Sequence, residues 1–526
     1  MKYLKHILLI ILAGTLCTNC EDNFLDTPPN DRIVSEKFWS TDNDAILASN
    51  AIYPYLLQDA MTYAMWDGMS DIGHVTLQWR QESLVEKGAH NAASSKIAQV
   101  WAFAYEGIQG ANLFLANVDN FEPADPALID RLKAEIRVIR AKLYMDLAML
   151  FGDVPLSTSE LTLEESLELT RTPIEEVWNF ISSELTAAAD VLPTTQSETG
   201  RITKGAALGL KARALLYAKR YEKAAVTAKE VIDLGVYSLY PSYENMFGYA
   251  AQNSNEVILD RQFTQNVNAS NIYDILTPNS IWPQRNDLVP TKQCVDMYKM
   301  ANGLDIMDPL SGFDPNNPYT GRDPRLGYSI FTLGSVLPNG QIYDPRPNSG
   351  TGDAIGSSEN STYSGFNVKK YLTPEDNPDP NNCGINLILL RYADVLLMYA
   401  ESKIEANDID QSVLDAINEV RGRPDVNMPA ISGIFDQAEL RQIVRDERAV
   451  ELAFEGLRYF DIRRWRIAED LTGIIYGMTY ENEEGDLTTI ALTGFDVSFN
   501  KDRDYLWPIP FNELVLNPNL TQNPGW

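Results

Sequence analysis

The segment from Arg445 to Trp465 carries the acidic side chains that first suggest chemistry. Its carboxylates are Glu447, Glu451, Glu455 and Asp461. Two carboxyl groups about 5 to 9 Å apart in an open cleft hydrolyse glycosidic bonds, so this cluster raises the hypothesis of a glycosidase. A structure with two buried acids at this separation in an open cleft would support the hypothesis.

The same segment has the charge spacing of a helix whose acids and bases neutralise one another. Residues three positions apart lie side by side on a helix. This spacing predicts that Arg448 pairs with Glu451, and that Arg458 pairs with both Glu455 and Asp461. We therefore predict a structural role for these acids, and a protein that is not an enzyme.

Residues for other kinds of catalytic site are scarce. The chain has three histidines, His6, His74 and His90, and neither a Gly-rich phosphate loop nor a zinc-type cysteine spacing. The stretch from Asn302 to Asp308 could bind calcium through its oxygen atoms, but it lacks the EF-hand spacing. We predict no cofactor and no metal site.

Aromatic residues in loops offer a different chemistry, which is the binding of sugars. A flat ring stacks on the apolar face of a sugar, loses little rotamer freedom and leaves polar neighbours to bond the hydroxyls. Two clusters of aromatic and polar residues fit this description. The predicted ligand-binding residues are Trp66, Asp71, Trp79, Arg80, Tyr273 and Trp282. For each aromatic, burial in the core is the alternative.

The N-terminus carries the pattern of an exported protein. Two lysines precede an apolar run from Ile7 to Leu12, which is too short to span a bilayer and is typical of a signal peptide. Either Cys17 or Cys20 could then carry the lipid of a bacterial lipoprotein. We predict a signal peptide over residues 1–19 and lipidation at Cys20, because the bulky Leu16 precedes Cys17. Cleavage without lipidation is the alternative.

Composition excludes one class of partner and limits the fold. The chain has 526 residues, a formal charge of -30 and an isoelectric point near 4.5, which argues against nucleic acid, since phosphates recruit basic residues. No linker-like stretch divides residues 20–526, so we predict one domain. Beyond the signal region only Cys294 and Cys383 remain. They could form a disulfide after export or be two free buried thiols.

Most of the chain has the apolar periodicity of helices. The clearest helices lie between Lys204 and Leu234, with a break near Lys219. Their small and aromatic residues partly match the tetratricopeptide pattern of two stacked helices per unit. Similar pairs over about 92–234 and 385–465 predict a mainly α fold with an α-solenoid core.

Two segments depart from this helical texture. Residues 237–384 are rich in Pro, Gly, Asn and Asp, which indicates turns with few short strands. Residues 61–90 form a shorter variable stretch. Long irregular segments in a compact protein are often functional, so we predict that the ligand surface draws on both segments.

Motifs along the chain resemble the SusD/RagB family of outer-membrane nutrient-binding lipoproteins. The matching segments occur in family order and cover nearly all of the chain after the signal region. They include Cys20–Asp26, Arg137–Tyr144, Phe151–Leu156, Thr203–Ala207, Leu390–Asp394, Ile417–Arg421, Arg445–Trp465 and Leu506–Trp526.

The resemblance implies a SusD-like fold, with tetratricopeptide-type helix pairs on one side and an irregular half on the other. It also implies a lipid-anchored protein on the outside of the cell outer membrane, and the acidic pair Glu21-Asp22 is similar to the export signal of such lipoproteins. The implied partners are a SusC-like TonB-dependent outer-membrane transporter and an oligosaccharide. Capture of peptides or another nutrient by the same mechanism is the alternative.

Overall fold

The computed structural model describes residues 38–526, and the predicted signal peptide and Cys20 lie outside them. Helices dominate the described chain. They are α1 (Asp42–Asn50), α2 (Ala60–Gly68), α3 (Gln81–Glu86), α4 (Ser95–Asn117), α5 (Pro126–Phe151), α6 (Leu163–Leu167), α7 (Ile174–Val191), α8 (Lys204–Tyr217), α9 (Tyr221–Asp233), α10 (Ile272–Leu276), α11 (Lys292–Met297), α12 (Arg325–Ser329), α13 (Tyr392–Glu405), α14 (Gln411–Arg421), α15 (Gln437–Glu451), α16 (Arg458–Arg464) and α17 (Phe511–Leu516). None of these helices combines the length and apolarity that crossing a membrane requires.

The strands form small antiparallel sheets of two strands each. They are β1 (Gly73–Val75), β2 (Val257–Arg261), β3 (Leu288–Pro290), β4 (Ile330–Phe331), β5 (Asn367–Val368), β6 (Leu387–Arg391), β7 (Gly473–Glu481) and β8 (Leu487–Val497), paired as β1–β3, β2–β6, β4–β5 and β7–β8. The β7–β8 hairpin is longer than the short strands expected from the sequence, and it lies outside the loop-rich segments.

The long helices stack in an order that follows the chain. Helix α4 packs on α5, α5 on α7, α7 on α8, and α8 on α9. The chain then leaves the stack for the loop-rich segment and returns through β6, so that α13 packs directly on α9 and is followed by α14. This arrangement confirms the predicted helix pairs.

Small residues allow close packing within the stack. Ala207, Ala212 and Ala228 are fully buried. Gly209 on α8 faces β6, and a Cβ atom there would lie 2.4 Å from the Cδ2 atom of Leu390. A glycine costs helix stability, and here it leaves room for the Leu390 side chain of β6 to pack against the helix.

Cys294 and Cys383 are both free and buried. Burial raises the pKa of the Cys383 thiol to about 12 and holds the pKa of Cys294 well above its usual value. Both side chains therefore remain protonated and behave as small apolar groups in the core.

The acidic segment is interrupted where the sequence predicted continuous helix. Helix α15 ends at Glu451, and the backbone passes through left-handed conformations at Phe454 (φ 62°) and Gly456 (φ 74°) before α16 begins. The helical spacing does not continue across this turn, so the segment is two helices joined by a sharp bend, and Arg448 before the bend lies next to Asp461 after it.

The three glutamates bond to basic residues that are distant in sequence, whereas Asp461 pairs with Arg464 three residues on. The Glu451 carboxylate is fully buried and accepts from Arg325 (2.9 Å), Arg391 (2.8 Å) and Arg423 (3.0 Å). Glu455 accepts from the Nε atom of Arg391 at 2.7 Å. These contacts tie the turn after α15 to β6 and to the loop-rich half.

The basic residues of this segment also pair elsewhere than predicted. Arg448 donates to Asp394 at 2.8 Å and to Asp461 at 3.2 Å, and Arg458 makes a two-pronged pair with Asp71. The predicted pairs of Arg448 with Glu451 and of Arg458 with Glu455 and Asp461 are therefore wrong. The acids nevertheless have a structural role, because their ion pairs hold separate helices, strands and loops together.

Candidate functional site

The two variable segments meet at the small β1–β3 sheet. Gly73 of β1 pairs with Pro290 of β3, and Val75 pairs with Leu288. The residues after β1 therefore lie beside the residues before β3. This pairing brings together two clusters that are some two hundred positions apart in sequence, the one around Trp79 and the one around Trp282.

Two buried carboxylates organise these clusters, and Asp287 connects them. Asp287 accepts from Arg80 at 2.9 Å and forms an ion pair with Arg285 at 3.4 Å. Asp274 accepts from Arg285 at 3.2 Å and from the indole N–H of Trp282 at 2.9 Å. Both arginines and the Trp282 ring are thereby fixed in orientation, as a preorganised binding surface requires.

Burial and the two arginines act in opposite directions on Asp287. Its removal from water raises the pKa of the carboxyl, whereas the Arg80 and Arg285 guanidinium groups lower it. Burial has the larger effect, so the pKa of the Asp287 carboxyl is raised overall. Its contacts with Arg80 and Arg285 hold the two loops together.

Trp79 is the exposed member of the group. Its side chain is 69% exposed, and the Arg80 guanidinium lies 4.7 Å from the ring centroid. Trp282 is half-buried, and Gln284 next to it is exposed. We refer to Trp79, Arg80, Trp282 and Arg285 as the tryptophan platform. It offers ring faces with hydrogen-bond donors at their edges.

Three of the predicted binding residues lie outside the platform. Trp66 is on α2, and its ring packs against Phe460 and Trp507 with centroids 4.9 and 5.6 Å away. Tyr273 is fully buried in α10, so the prediction that its ring is exposed is wrong. Asp71 is buried by its ion pair with Arg458. Aromatic rings have large apolar surfaces that favour burial. Of the four aromatic residues predicted to bind the ligand, Trp66 and Tyr273 pack against the core.

A large cavity lies elsewhere, and the sequence analysis did not predict it. It is an open groove of about 560 Å³ between α11 and the first residues of β7. Asp71 is the one predicted residue that lines it. Its walls come from residues 291–307, 446 and 470–476, which are joined only by folding. The alternating pattern of the hairpin strands was the one signal that could have pointed to it.

The described residues contain no cluster suited to a metal ion. Between residues 38 and 526 no group of three or more His, Cys, Asp or Glu side chains is placed to hold one. In the acidic stretch considered for calcium, Asp305 and Asp308 instead accept from nearby backbone N–H groups at 2.9 and 2.8 Å. These bonds stabilise the loop turns.

Comparison with known families accounts for both halves of the chain. A model described as the SusD family matches residues 249–526. The chain belongs to the SusD family. A second model, described as starch-binding associating with outer membrane, matches residues 23–216.

Individual SusD-like proteins match over nearly their whole length. SusD-like protein P25 of Formosa agariphila is 26% identical over 557 residues, covering 99% of this chain and 98% of that protein. The crystal structure of a SusD-like carbohydrate-binding protein from Bacteroides fragilis is 29% identical and has a TM-score of 0.84, with 92% of this chain and 100% of that one covered.

A laminarin-binding SusD-like protein shares the fold at lower identity. It is 20% identical with a TM-score of 0.71, covering 93% of this chain and 100% of that one. These likenesses confirm the family and the mainly helical SusD fold predicted from the sequence. They do not identify the residues that bind the ligand.

Proposed function

We propose that this SusD-family protein binds an oligosaccharide or polysaccharide on the tryptophan platform. The observation that carries the proposal is that Asp287 joins the two loop clusters through Arg80 and Arg285. Arg80 lies over the exposed ring of Trp79, and Asp274 orients Trp282 and Arg285. Stacking on flat rings, with donors at their edges, is the chemistry that a sugar ring requires. The carbohydrate-binding relative from Bacteroides fragilis supports the same class of ligand.

The protein acts in this proposal as a surface lipoprotein that delivers its ligand to a transporter. The lipid on Cys20 would hold it at the outside of the outer membrane, because several acyl chains together anchor a soluble domain firmly. A TonB-dependent outer-membrane transporter of the SusC type would receive the glycan. The binding is not catalytic, since the acids that suggested hydrolysis are held by buried arginines.

Replacing Trp79 or Trp282 by alanine should weaken glycan binding about tenfold each, because a stacked aromatic ring contributes about 1 to 1.5 kcal/mol. The measurement is affinity electrophoresis of residues 38–526 through gels that contain a neutral polysaccharide, followed by calorimetry on those that retard the protein. The double variant should lose most of the retardation of the parent protein.

The matched control is Phe511→Ala. Phe511 is also an exposed aromatic, at 56%, but it lies on α17 and outside the platform. Its variant should bind like the parent protein. Undiminished binding by the double variant would overturn the platform as the site. Retardation by peptides in place of glycans would favour the nutrient alternative, and release of sugar products would contradict the non-catalytic role.

The Cys20→Ala full-length protein should lose its membrane association, because the acyl attachment point is removed. The measurement is fractionation of cells that lack the transporter, since a bound transporter would retain the protein at the membrane without a lipid. Cys17→Ala provides the control and should still fractionate with the outer membrane. Membrane association of the Cys20→Ala protein in these cells would contradict lipidation at this residue.

A further inference from the structure

The groove beside the β7–β8 hairpin has no role in the tryptophan platform. We call it the hairpin groove. One wall is formed by α11 with Gln293 and Asp296, the other by β7 with Ile474 and Tyr476, and Asp71 lies at its floor. Its volume of about 560 Å³ is in the range of ligand sites.

A second, smaller pocket extends the hairpin groove along β7. This second pocket, of about 110 Å³, shares Lys292 and Asp296 with the groove, and the half-buried rings of Phe313 and Tyr319 line this continuation. Strand β7 borders both parts, from Gly473 to Thr479, a distance of about 20 Å at roughly 3.3 Å per residue. The two pockets together therefore form an elongated channel that suits a chain-like ligand.

The lining of the groove suits a ligand that carries hydroxyl groups. Tyr476 is 47% exposed and provides a ring that lines the groove, as does Gln293, whose amide N–H donates to Asp71 at 3.3 Å. Ile474 and Met307 add exposed apolar surface at the rim. A sugar ring has apolar faces that stack on apolar or aromatic side chains, and hydroxyl groups at its edge that need hydrogen-bonding partners. The groove offers both.

The charges of the groove argue for a neutral ligand. Lys292 pairs with Asp296 at 2.5 Å, and Lys299 pairs with Asp446 at 3.2 Å, so neither lysine is left to attract an anion. Asp470 also lines the groove and has no ion-pair partner among residues 38–526. An acidic polysaccharide would meet this carboxylate and be repelled.

The hairpin groove and the tryptophan platform lie at opposite ends of the same small sheet. Gly73 and Thr291, at one end of the β1–β3 pair, line the groove. Asp287, which precedes β3 at its other end, holds Arg80 of the platform. The three residues of β3 span about 10 Å, so one long chain can reach both sites.

We propose that the hairpin groove is a second binding site for a neutral glycan, and that one polysaccharide chain occupies the groove and the tryptophan platform together. This inference rests on the proposed function of the platform as a sugar site. Two linked contacts raise the affinity for a long chain far above the affinity for a short one, because the second contact forms within the complex.

The test compares polymer binding by Tyr476→Ala, by the Trp79→Ala/Trp282→Ala variant and by all three changes combined. The probes are laminarin, starch, levan and galactomannan as neutral polymers, and polygalacturonate as an acidic one. For the neutral polymer that the parent protein binds, Tyr476→Ala should weaken binding at least about tenfold, since the avidity of two linked sites is lost. A trisaccharide of that polymer should lose no more than about fivefold.

Two variants control for damage to the hairpin. Tyr476→Phe keeps the ring and should bind like the parent. Leu487→Ala lies on β8, is 45% exposed and does not line the groove, so it should also leave binding unchanged. Melting temperatures of all variants check the fold.

The outcomes separate the two proposals. Polymer binding that depends on Trp79 and Trp282 but not on Tyr476 would overturn the groove and leave the platform intact. Dependence on Tyr476 alone would keep the groove and remove the platform. Binding of polygalacturonate that is lost with Tyr476→Ala would contradict a neutral ligand. Failure of all four neutral polymers to bind the parent protein would overturn both.

Discussion

Replacing Glu451 by alanine is expected to destabilise the protein by about 3 to 5 kcal/mol, because it leaves several buried guanidinium groups without their shared carboxylate. Arg325, Arg391 and Arg423 all donate to Glu451, and the side chains of all four residues are at most 1% exposed. The three arginines hold the pKa of the Glu451 carboxyl far below its usual value. The measurement is the free energy of unfolding in urea.

Glu230→Ala is the matched control for this change. Glu230 is an exposed glutamate on α9, and its removal should alter stability by no more than about 0.5 kcal/mol. Glu451→Gln should fall between the two, because the amide oxygen still accepts hydrogen bonds while the charge is lost. A Glu451→Ala protein as stable as Glu230→Ala would refute the role given to this network.

A second large effect is expected from pH at Asp67. Its carboxyl is fully buried on α2 and accepts from the backbone N–H groups of Gly456 at 2.8 Å and Arg458 at 3.0 Å. Burial raises the pKa of Asp67 to about 7, and these two hydrogen bonds only partly oppose the rise. The folded protein therefore keeps a proton that the unfolded chain releases near pH 4.

The direction of the pH dependence follows from this difference. Between about pH 4 and 7 the folded state binds more protons at Asp67 than the unfolded state does, so its contribution to stability falls as pH rises. The expected loss is about 3 to 4 kcal/mol across this range. Unfolding free energies of the parent and Asp67→Asn proteins at pH 5, 6, 7 and 8 measure it.

The Asp67→Asn variant should lose one backbone hydrogen bond at every pH, at a cost of about 1 to 3 kcal/mol. Its deficit relative to the parent should shrink or reverse between pH 5 and 8. Asp190→Asn, at an exposed position on α7, should follow the parent curve throughout. Parallel curves for parent and Asp67→Asn would show that the buried carboxyl does not titrate in this range.

The helical stack could be predicted because its signals are local. The apolar periodicity of α8 and α9 and the small residues between them specify two antiparallel helices whatever the rest of the chain does. The lengths of the hairpin strands and the break between α15 and α16 were missed. The turn at Phe454 and Gly456 depends on ion pairs that tie it to other elements. The helical periodicity of the sequence does not show that the backbone becomes left-handed at these two residues.

The candidate site was also predicted only in part from the sequence. Its residue types and the two contributing segments were predicted, and Trp79, Arg80 and Trp282 stay as the predicted binding residues. Tyr273 was assigned to the same surface but is buried in the core. An aromatic ring can pack either on a sugar face or in the protein interior, so the type of residue alone does not decide its exposure.

The amino-acid sequence by itself determined the family and the helix pairs, because each depends on patterns within a few dozen residues. Only the tertiary structure decided which aromatics are exposed, which arginines hold Glu451, and that a groove forms between α11 and β7. Those features depend on contacts between residues far apart in sequence. Such contacts are fixed by packing and by the pairing of buried charges, and neither leaves a periodic signal along the chain.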